Sequence, residues 1–282
     1  MSLAELLRLE AAAEAADLSV VGPRDSRVQE IDTRRFPWST VCHLCRDFGG
    51  GSCAGCSGVL IGPDRVLTAA HCLWSLARRA APRGITVFPG RTDRDTFPFG
   101  AVPARRFWVP HGFLEGPERT IWDFGVVELA RPVRHTRRFP PLVAPDDAEL
   151  ARVAVERRLV IAGYPADRPL GTLWRHAERL KKVTPRRLFY SVDTCPGHSG
   201  SPVFVDRGRG AEVIAVHTSG ILDAEGRSYG CDRRTVLAPP GLLNSGVRLT
   251  PAVVAAIRRP ERARAGPWRM VELRPAGGDR GH

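Results

Sequence analysis

The chain has 282 residues, 43% of them hydrophobic, which is ample for a sizeable core and fits one large or two small domains. Lys181 and Lys182 are the only lysines among 42 basic residues, so the net charge of +12 is carried almost wholly by arginine. Its arginine pairs, such as Arg78-Arg79, Arg137-Arg138 and Arg258-Arg259, are scattered without an aromatic platform for bases, which argues against a dedicated nucleic-acid binder. No run of about 18 apolar residues exists, so no membrane-spanning helix is expected.

In chain order, Met1 to Asp17 reads as a short amphipathic helix with Leu3, Leu6, Leu7 and Leu9 near one side. Glu5, Arg8, Glu10 and Glu14 interrupt any continuous apolar stretch, so this is not a secretory signal as it stands. Residues 1–19 are read as an N-terminal extension or a removable pro-segment. Short apolar runs follow at Gly58–Ile61, Arg65–Leu67, Ile85–Phe88, Phe107–Val109, Gly125–Leu129, Leu159–Ala162, Leu188–Val192, Val203–Val205 and Val213–Val216. Turn clusters such as Gly62-Pro63-Asp64, Pro82-Arg83-Gly84 and Asp206-Arg207-Gly208 punctuate them, which predicts an all-β sandwich or barrel. Pro251 to Arg259 predicts a helix, capped by Thr250 and with proline at its first position. Residues 260–282 are rich in Arg, Pro and Gly and read as a loose basic tail. A division of the chain falls near Pro140-Pro141.

Three local patterns carry chemistry. Val66-Leu67-Thr68-Ala69-Ala70-His71-Cys72 is a β run that ends in small residues and delivers a histidine. Trp122-Asp123-Phe124-Gly125 places an aspartate at the head of an apolar strand, and Gly197-His198-Ser199-Gly200-Ser201-Pro202 holds a serine in a glycine-rich turn. A serine hydroxyl is a poor nucleophile unless a base takes its proton, and the base needs an acid to hold its tautomer. Gly197 lets the backbone turn so that its N–H and that of Ser199 can face one developing oxyanion. Each pattern alone is weak; the three in the order His71, Asp123, Ser199, in a chain that otherwise reads as β, form a catalytic triad.

On these motifs the chain resembles the chymotrypsin-fold serine peptidases and, within them, the bacterial glutamyl endopeptidase (V8-like) branch. Cys56-Ser57-Gly58-Val59-Leu60-Ile61-Gly62-Pro63 is similar to that branch's approach to the histidine, and Phe97-Pro98-Phe99-Gly100 to its approach to the aspartate. Gly163-Tyr164-Pro165, Gly171-Thr172-Leu173-Trp174 and Asn244-Ser245-Gly246-Val247-Arg248-Leu249-Thr250 extend the resemblance through the second half. It implies two six-stranded antiparallel β-barrels with a C-terminal helix, in a peptidase domain over residues 20–259. The first barrel is expected at about 38–139, the second at about 140–249 and the closing helix at 250–259. It also implies a secreted serine endopeptidase, made as a zymogen. Such an enzyme would act as a monomer on polypeptide substrates through an acyl-enzyme, with no cofactor or metal. One departure is His198, which stands where digestive relatives carry the aspartate that receives the freed N-terminus; their activation switch does not carry over.

For specificity, the resemblance implies cleavage after Glu or Asp, with Thr194 and His217 holding the substrate carboxylate and a mature N-terminus at Val20 nearby. Hydroxyl and imidazole donors suit an anion. Asp193 keeps an alternative open, since digestive enzymes that cut after Arg or Lys have their pocket-floor aspartate at this offset. An inactive protease-fold binding module is the reading from a different class, opposed by the intact triad.

The seven cysteines are at 42, 45, 53, 56, 72, 195 and 231. The resemblance pairs Cys56 with Cys72 and Cys195 with Cys231. Cys42, Cys45 and Cys53 then remain, which fits one loop disulfide and one free thiol. Alternatively Cys42-x2-Cys45-x7-Cys53-x2-Cys56 could hold zinc in four thiolates, which would rob Cys72 of its partner. Disulfides imply an oxidising compartment, which a different start codon or a non-standard export route would reconcile with the absence of a signal peptide.

Overall fold

The structure is a computed structural model that describes residues 25–49, 53–208, 210–219 and 243–275. Its first sheet is built from β2 (Val41–Asp47), β3 (Cys53–Leu60), β4 (Arg65–Thr68), β5 (Gly84–Pro89), β6 (Val102–Pro110) and β7 (Gly125–Leu129). They lie in the order β6-β5-β2-β3-β4-β7, and a further β6–β7 pairing closes the ring into a barrel. β5 shows why such runs become strands: Ile85 and Val87 are buried while Thr86 and Phe88 are only partly so, the period-two alternation of a half-buried strand.

The second sheet takes β8 (Leu159–Gly163), β9 (Leu173–Glu178), β10 (Leu180–Val183), β11 (Arg187–Tyr190), β12 (Pro202–Asp206), β13 (Ala211–Ser219) and β14 (Asn244–Arg248). Their order is β9-β8-β12-β13-β14-β11-β10. Only Arg179 separates β9 from β10, so one bent strand pairs with β8 at its start and with β11 at its end. That continuity closes the second barrel, and the fold is the expected pair of six-stranded antiparallel barrels with a helix after them.

Seven of the nine strand runs expected from the sequence lie within observed strands, while Gly58–Ile61 overruns β3 by one residue and Leu188–Val192 overruns β11 by two. The helix Pro251–Arg258 is capped as expected, with the Thr250 hydroxyl accepting from the Val253 amide. Three features differ from the expectation. A further helix, Asp147–Glu156, joins the barrels; it opens on a reciprocal capping box between Asp146 and Glu149. Near the N-terminus β1 (Val28–Glu30) adds to the edge of β9, in the second sheet. Residues 261–275 are not loose: they turn back to the first barrel, where β15 (Met270–Leu273) pairs with β6. Its anchor is apolar and hydrogen-bonded, since Met270 is buried and its amide donates to the Ala263 carbonyl at 2.8 Å. No helix among the described residues is long and apolar enough to cross a membrane.

Candidate active site

The three motif residues are delivered by short irregular segments at the ends of strands. β4 runs directly into a tight 3-10 turn, Ala70–Cys72, which carries His71. Asp123 lies before β7 with φ −79° and ψ 62°. The Phe124 amide donates to the Trp122 carbonyl across it at 2.8 Å, an inverse γ-turn that pushes the carboxylate out. One carboxylate oxygen accepts from the His71 backbone amide at 2.9 Å, and the other lies 2.7 Å from His71 Nδ1. This two-point contact fixes the ring and places its proton on Nδ1, which leaves Nε2 as the basic nitrogen.

Ser199 comes from the other barrel, in the turn before β12, and is buried. Its backbone is pinned to the histidine side. The Ser199 carbonyl accepts from the Ser57 amide at 2.8 Å and lies 3.6 Å from Cys72 Sγ. Ser57 does more: its hydroxyl donates to the Gly197 carbonyl at 2.7 Å and accepts from the Tyr164 amide at 2.9 Å. Gly197 has φ +99° and Gly200 has φ +85°, and a Cβ on Gly197 would stand 2.4 Å from the Tyr164 carbonyl. Only glycine fits there, so the turn presents its amides inward. The Gly197 amide donates to no acceptor among the described residues.

His198 is a structural residue. Its Nδ1 accepts from the Cys195 amide at 3.1 Å, and burial, then the nearby Arg27 charge, pushes its pKa down to about 3. It stays neutral and braces the Ser199 turn from inside.

Thr194 and His217 are both fully buried. Thr194 Oγ1 has no hydrogen-bond partner among the described residues. The His217 backbone brackets the Ser199 turn, its carbonyl accepting from the Gly200 amide at 2.8 Å and its amide donating to the Ser201 carbonyl at 2.9 Å. Its Nδ1 lies 2.9 Å from the Tyr190 hydroxyl. Burial, assisted by the charges of His198 and Arg187, holds the ring well below the ordinary histidine range, opposed by the Ser245 backbone. Below it Arg187 spans three segments, donating to the Thr120 carbonyl at 2.5 Å, Thr218 Oγ1 at 3.2 Å and Ser245 Oγ at 2.6 Å.

Asp193 is engaged elsewhere. Its carboxylate accepts from the Ser26 amide at 2.8 Å and lies 3.4 Å from His176 Nδ1, which itself accepts from the Asp193 amide. The neighbouring Arg27 is clamped between Asp25 and Asp167, fixing the segment that covers Asp193. Ser57, Tyr190, His176 and Arg187 carry no local sequence signal for these roles; strand register alone brings them to the site.

Cys56 and Cys72 form a disulfide behind His71, and Cys45 pairs with Cys53. Cys42 is a buried free thiol whose pKa burial pushes upward, beyond any physiological range. The four-thiolate zinc site is thereby overturned, because three of its ligands are consumed in two disulfides. Cys56, His71 and Cys72 are the one group close enough to share a metal among the described residues, and its two sulfurs are bonded to each other. Cys195 is disulfide-bonded. Its expected partner Cys231, and Val20, lie outside the described residues.

Comparison with known proteins agrees with this geometry. A glutamyl endopeptidase of Bacillus licheniformis is 32% identical over 216 residues, covering 75% of this chain and 63% of the relative. One from Staphylococcus aureus (strain MW2) is 27% identical over 204 residues, covering 72% and 58%. An extracellular metalloprotease of Bacillus subtilis (strain 168) is 28% identical over 218 residues, covering 77% and 66%. The chain thus spans less than two thirds of the length of these relatives. Among solved structures, a Glu endopeptidase in complex with MPD superposes with a TM-score of 0.68 at 24% identity, covering 86% of this chain and 99% of the other. The trypsin family model matches residues 27–236, and the chain belongs to the trypsin family.

Proposed function

We propose that the chain is a serine endopeptidase that hydrolyses polypeptides through an acyl-enzyme, preferring glutamate, or aspartate, on the acyl side of the cut. Ser199 Oγ attacks the scissile carbonyl as His71 Nε2 takes its proton. Asp123 holds the Nδ1–H tautomer and stabilises the imidazolium that forms. The amides of Gly197 and Ser199 receive the oxyanion, and His71 returns its proton to the leaving amine. Water then repeats the sequence on the acyl-enzyme.

The observation that carries the specificity is the contrast between two adjacent residues. Asp193 commits its carboxylate to the Ser26 amide, whereas Thr194 keeps a buried hydroxyl with no hydrogen-bond partner among the described residues. A pocket that offers an unspent hydroxyl and an imidazole favours an anion over a guanidinium. The names of the curated relatives support the same preference. The disulfides accord with an exported enzyme, for which Val20 is the proposed mature terminus.

The test is to profile cleavage of a mixed peptide library by the wild type and by Ser199→Ala. Cuts after Glu in the first and none in the second are expected. Cuts dominated by Arg or Lys would overturn the specificity and leave the triad standing.

A further inference from the structure

The segment after the C-terminal helix lies beyond the end of the trypsin family match at residue 236, yet it reaches the loop that carries Asp123. After the short turn Pro260–Arg262 the chain bends through Gly266–Trp268 and enters β15. The Arg269 carbonyl accepts from the His111 amide at 2.7 Å, and Glu272 meets Arg106 at 3.2 Å. These contacts fasten residues 260–273 across β6 like a strap.

Trp268 on this strap meets Trp122 edge to face, with ring centroids 4.7 Å apart and planes at 82°. The Arg186 guanidinium contacts both rings, its carbon 4.4 Å from the Trp122 centroid and 4.5 Å from that of Trp268. Its Nε and Nη2 are buried and have no hydrogen-bond partner among the described residues, so the two aromatic faces are its principal company there. A third surface completes the seat: a Cβ on Gly112 would stand 2.6 Å from the Trp122 ring, so the ring lies directly on the backbone of the helix His111–Glu115. Trp122 is thus held by a glycine, a cation and a tryptophan from three separate parts of the chain.

Its neighbour makes this matter. Asp123 is the middle residue of an inverse γ-turn whose two ends are Trp122 and Phe124. Phe124 is fully buried in the first-barrel core, so one end of the turn is fixed by the barrel itself. The other end is fixed by the seat of Trp122. A turn held at both ends has little freedom to rotate its central carboxylate away from His71.

We propose that Trp268 and Arg186 are positioning residues, which act through Trp122 to hold Asp123 against His71. The proposal rests on the reading of Asp123 as the partner of the catalytic histidine. It makes the C-terminal strap part of the catalytic apparatus, acting through Trp122 on Asp123.

The experiment is a double-mutant cycle with a peptide anilide carrying glutamate before the scissile bond. Trp268→Ala should lower kcat about tenfold with KM nearly unchanged, the effect of slight misplacement of a catalytic group. The acid limb of its kcat/KM profile should move to lower pH, because a poorly held carboxylate stabilises the His71 imidazolium less. Trp268→Phe should restore most of the loss, and Arg186→Gln should show a smaller loss of the same kind. In an Asp123→Asn background Trp268→Ala should cost nothing further, since groups that act as a unit are not additive. An equal loss in both backgrounds, or a lowered melting temperature with kcat and the pH profile unchanged, would overturn the proposal. If Trp268→Ala does not fold, Arg186→Gln carries the same cycle. Full turnover by Asp123→Asn alone would instead sink the triad reading beneath it.

Discussion

The carboxylate of Asp193 accepts a hydrogen bond from the backbone amide of Ser26 at 2.8 Å, joining residues 167 positions apart. A carboxylate so committed is a latch for the N-terminal segment rather than a counter-ion in a pocket. Asp193→Asn is therefore expected to leave cleavage after glutamate intact or improved, because it removes a negative charge near an anion site. Asparagine still offers an acceptor to Ser26, so the stability cost should be about 1 kcal/mol. Peptide-library profiling and urea denaturation check both halves. Loss of an Arg or Lys activity in this variant would show that the carboxylate faces substrate after all.

The Tyr190 hydroxyl and the His217 ring form the second test. His217→Ala should depress cleavage after glutamate about a hundredfold or more, and a glutamine substrate should be much poorer than glutamate for the wild type. Tyr190→Phe removes the group facing Nδ1 and should cost about tenfold in kcat/KM, with the fold retained. The pH dependence has a definite sign. Burial holds the His217 ring neutral in the free enzyme, and a bound carboxylate favours the imidazolium and raises its pKa. Binding of glutamate should therefore take up a proton and weaken as pH rises through the pKa of the complex. KM measured against pH for paired Glu and Gln substrates, with a trend only for Glu, is the expected result.

Stability should fall in acid for a reason unrelated to catalysis. Burial pushes His43 and His198 down to about 3, so the native state leaves them neutral where the unfolded chain, near 6.5, already binds protons. The unfolded state binds more protons between about pH 3 and 6.5, so stability is full above that window and declines as pH drops through it. Each histidine contributes a slope of up to about 1.4 kcal/mol per pH unit. Urea midpoints measured at pH 7, 6 and 5 should decrease in order, and a flat series would contradict the buried, neutral assignment.

Covalent topology gives the fourth prediction. Non-reducing peptide mapping should recover Cys45 linked to Cys53 and Cys56 linked to Cys72. Cys42 should resist alkylation in the native protein and react once denaturant is added, because its thiol is buried and held protonated. Stoichiometric zinc with Cys72 free would contradict this arrangement.

What the sequence made legible was local. His71, Asp123 and Ser199 each sit in a motif whose small and glycine residues state the required backbone, and the nine apolar runs state their strands. β2 escaped notice because its residues, Val41-Cys42-His43-Leu44-Cys45, mix polar and apolar types. It lies between β3 and β5, and His43 is buried there against the Arg91 guanidinium at 2.7 Å. The helix Asp147–Glu156 buries only Leu150 and Val153, a stripe too narrow to announce a helical period, although its capping box stood in plain sight. Ser57, Tyr190 and Arg187 could not have been found from neighbours in sequence. The partners of their side chains lie 107 to 140, 27, and 31 to 67 residues away respectively, and only the three-dimensional fold brings them together.

The strand arrangement has one more consequence. β1 precedes the first barrel in sequence but joins the second sheet, and β15 follows the second barrel but joins the first. Each half of the molecule thus holds a terminal strand of the other, as two people might by linking arms. A single nick in the connection between the barrels would release neither fragment, since the first would still be bound through β1 and the second through β15. For a protein proposed to cut chains at a common residue, such lacing turns self-cleavage in that connection into a scar rather than a dismemberment.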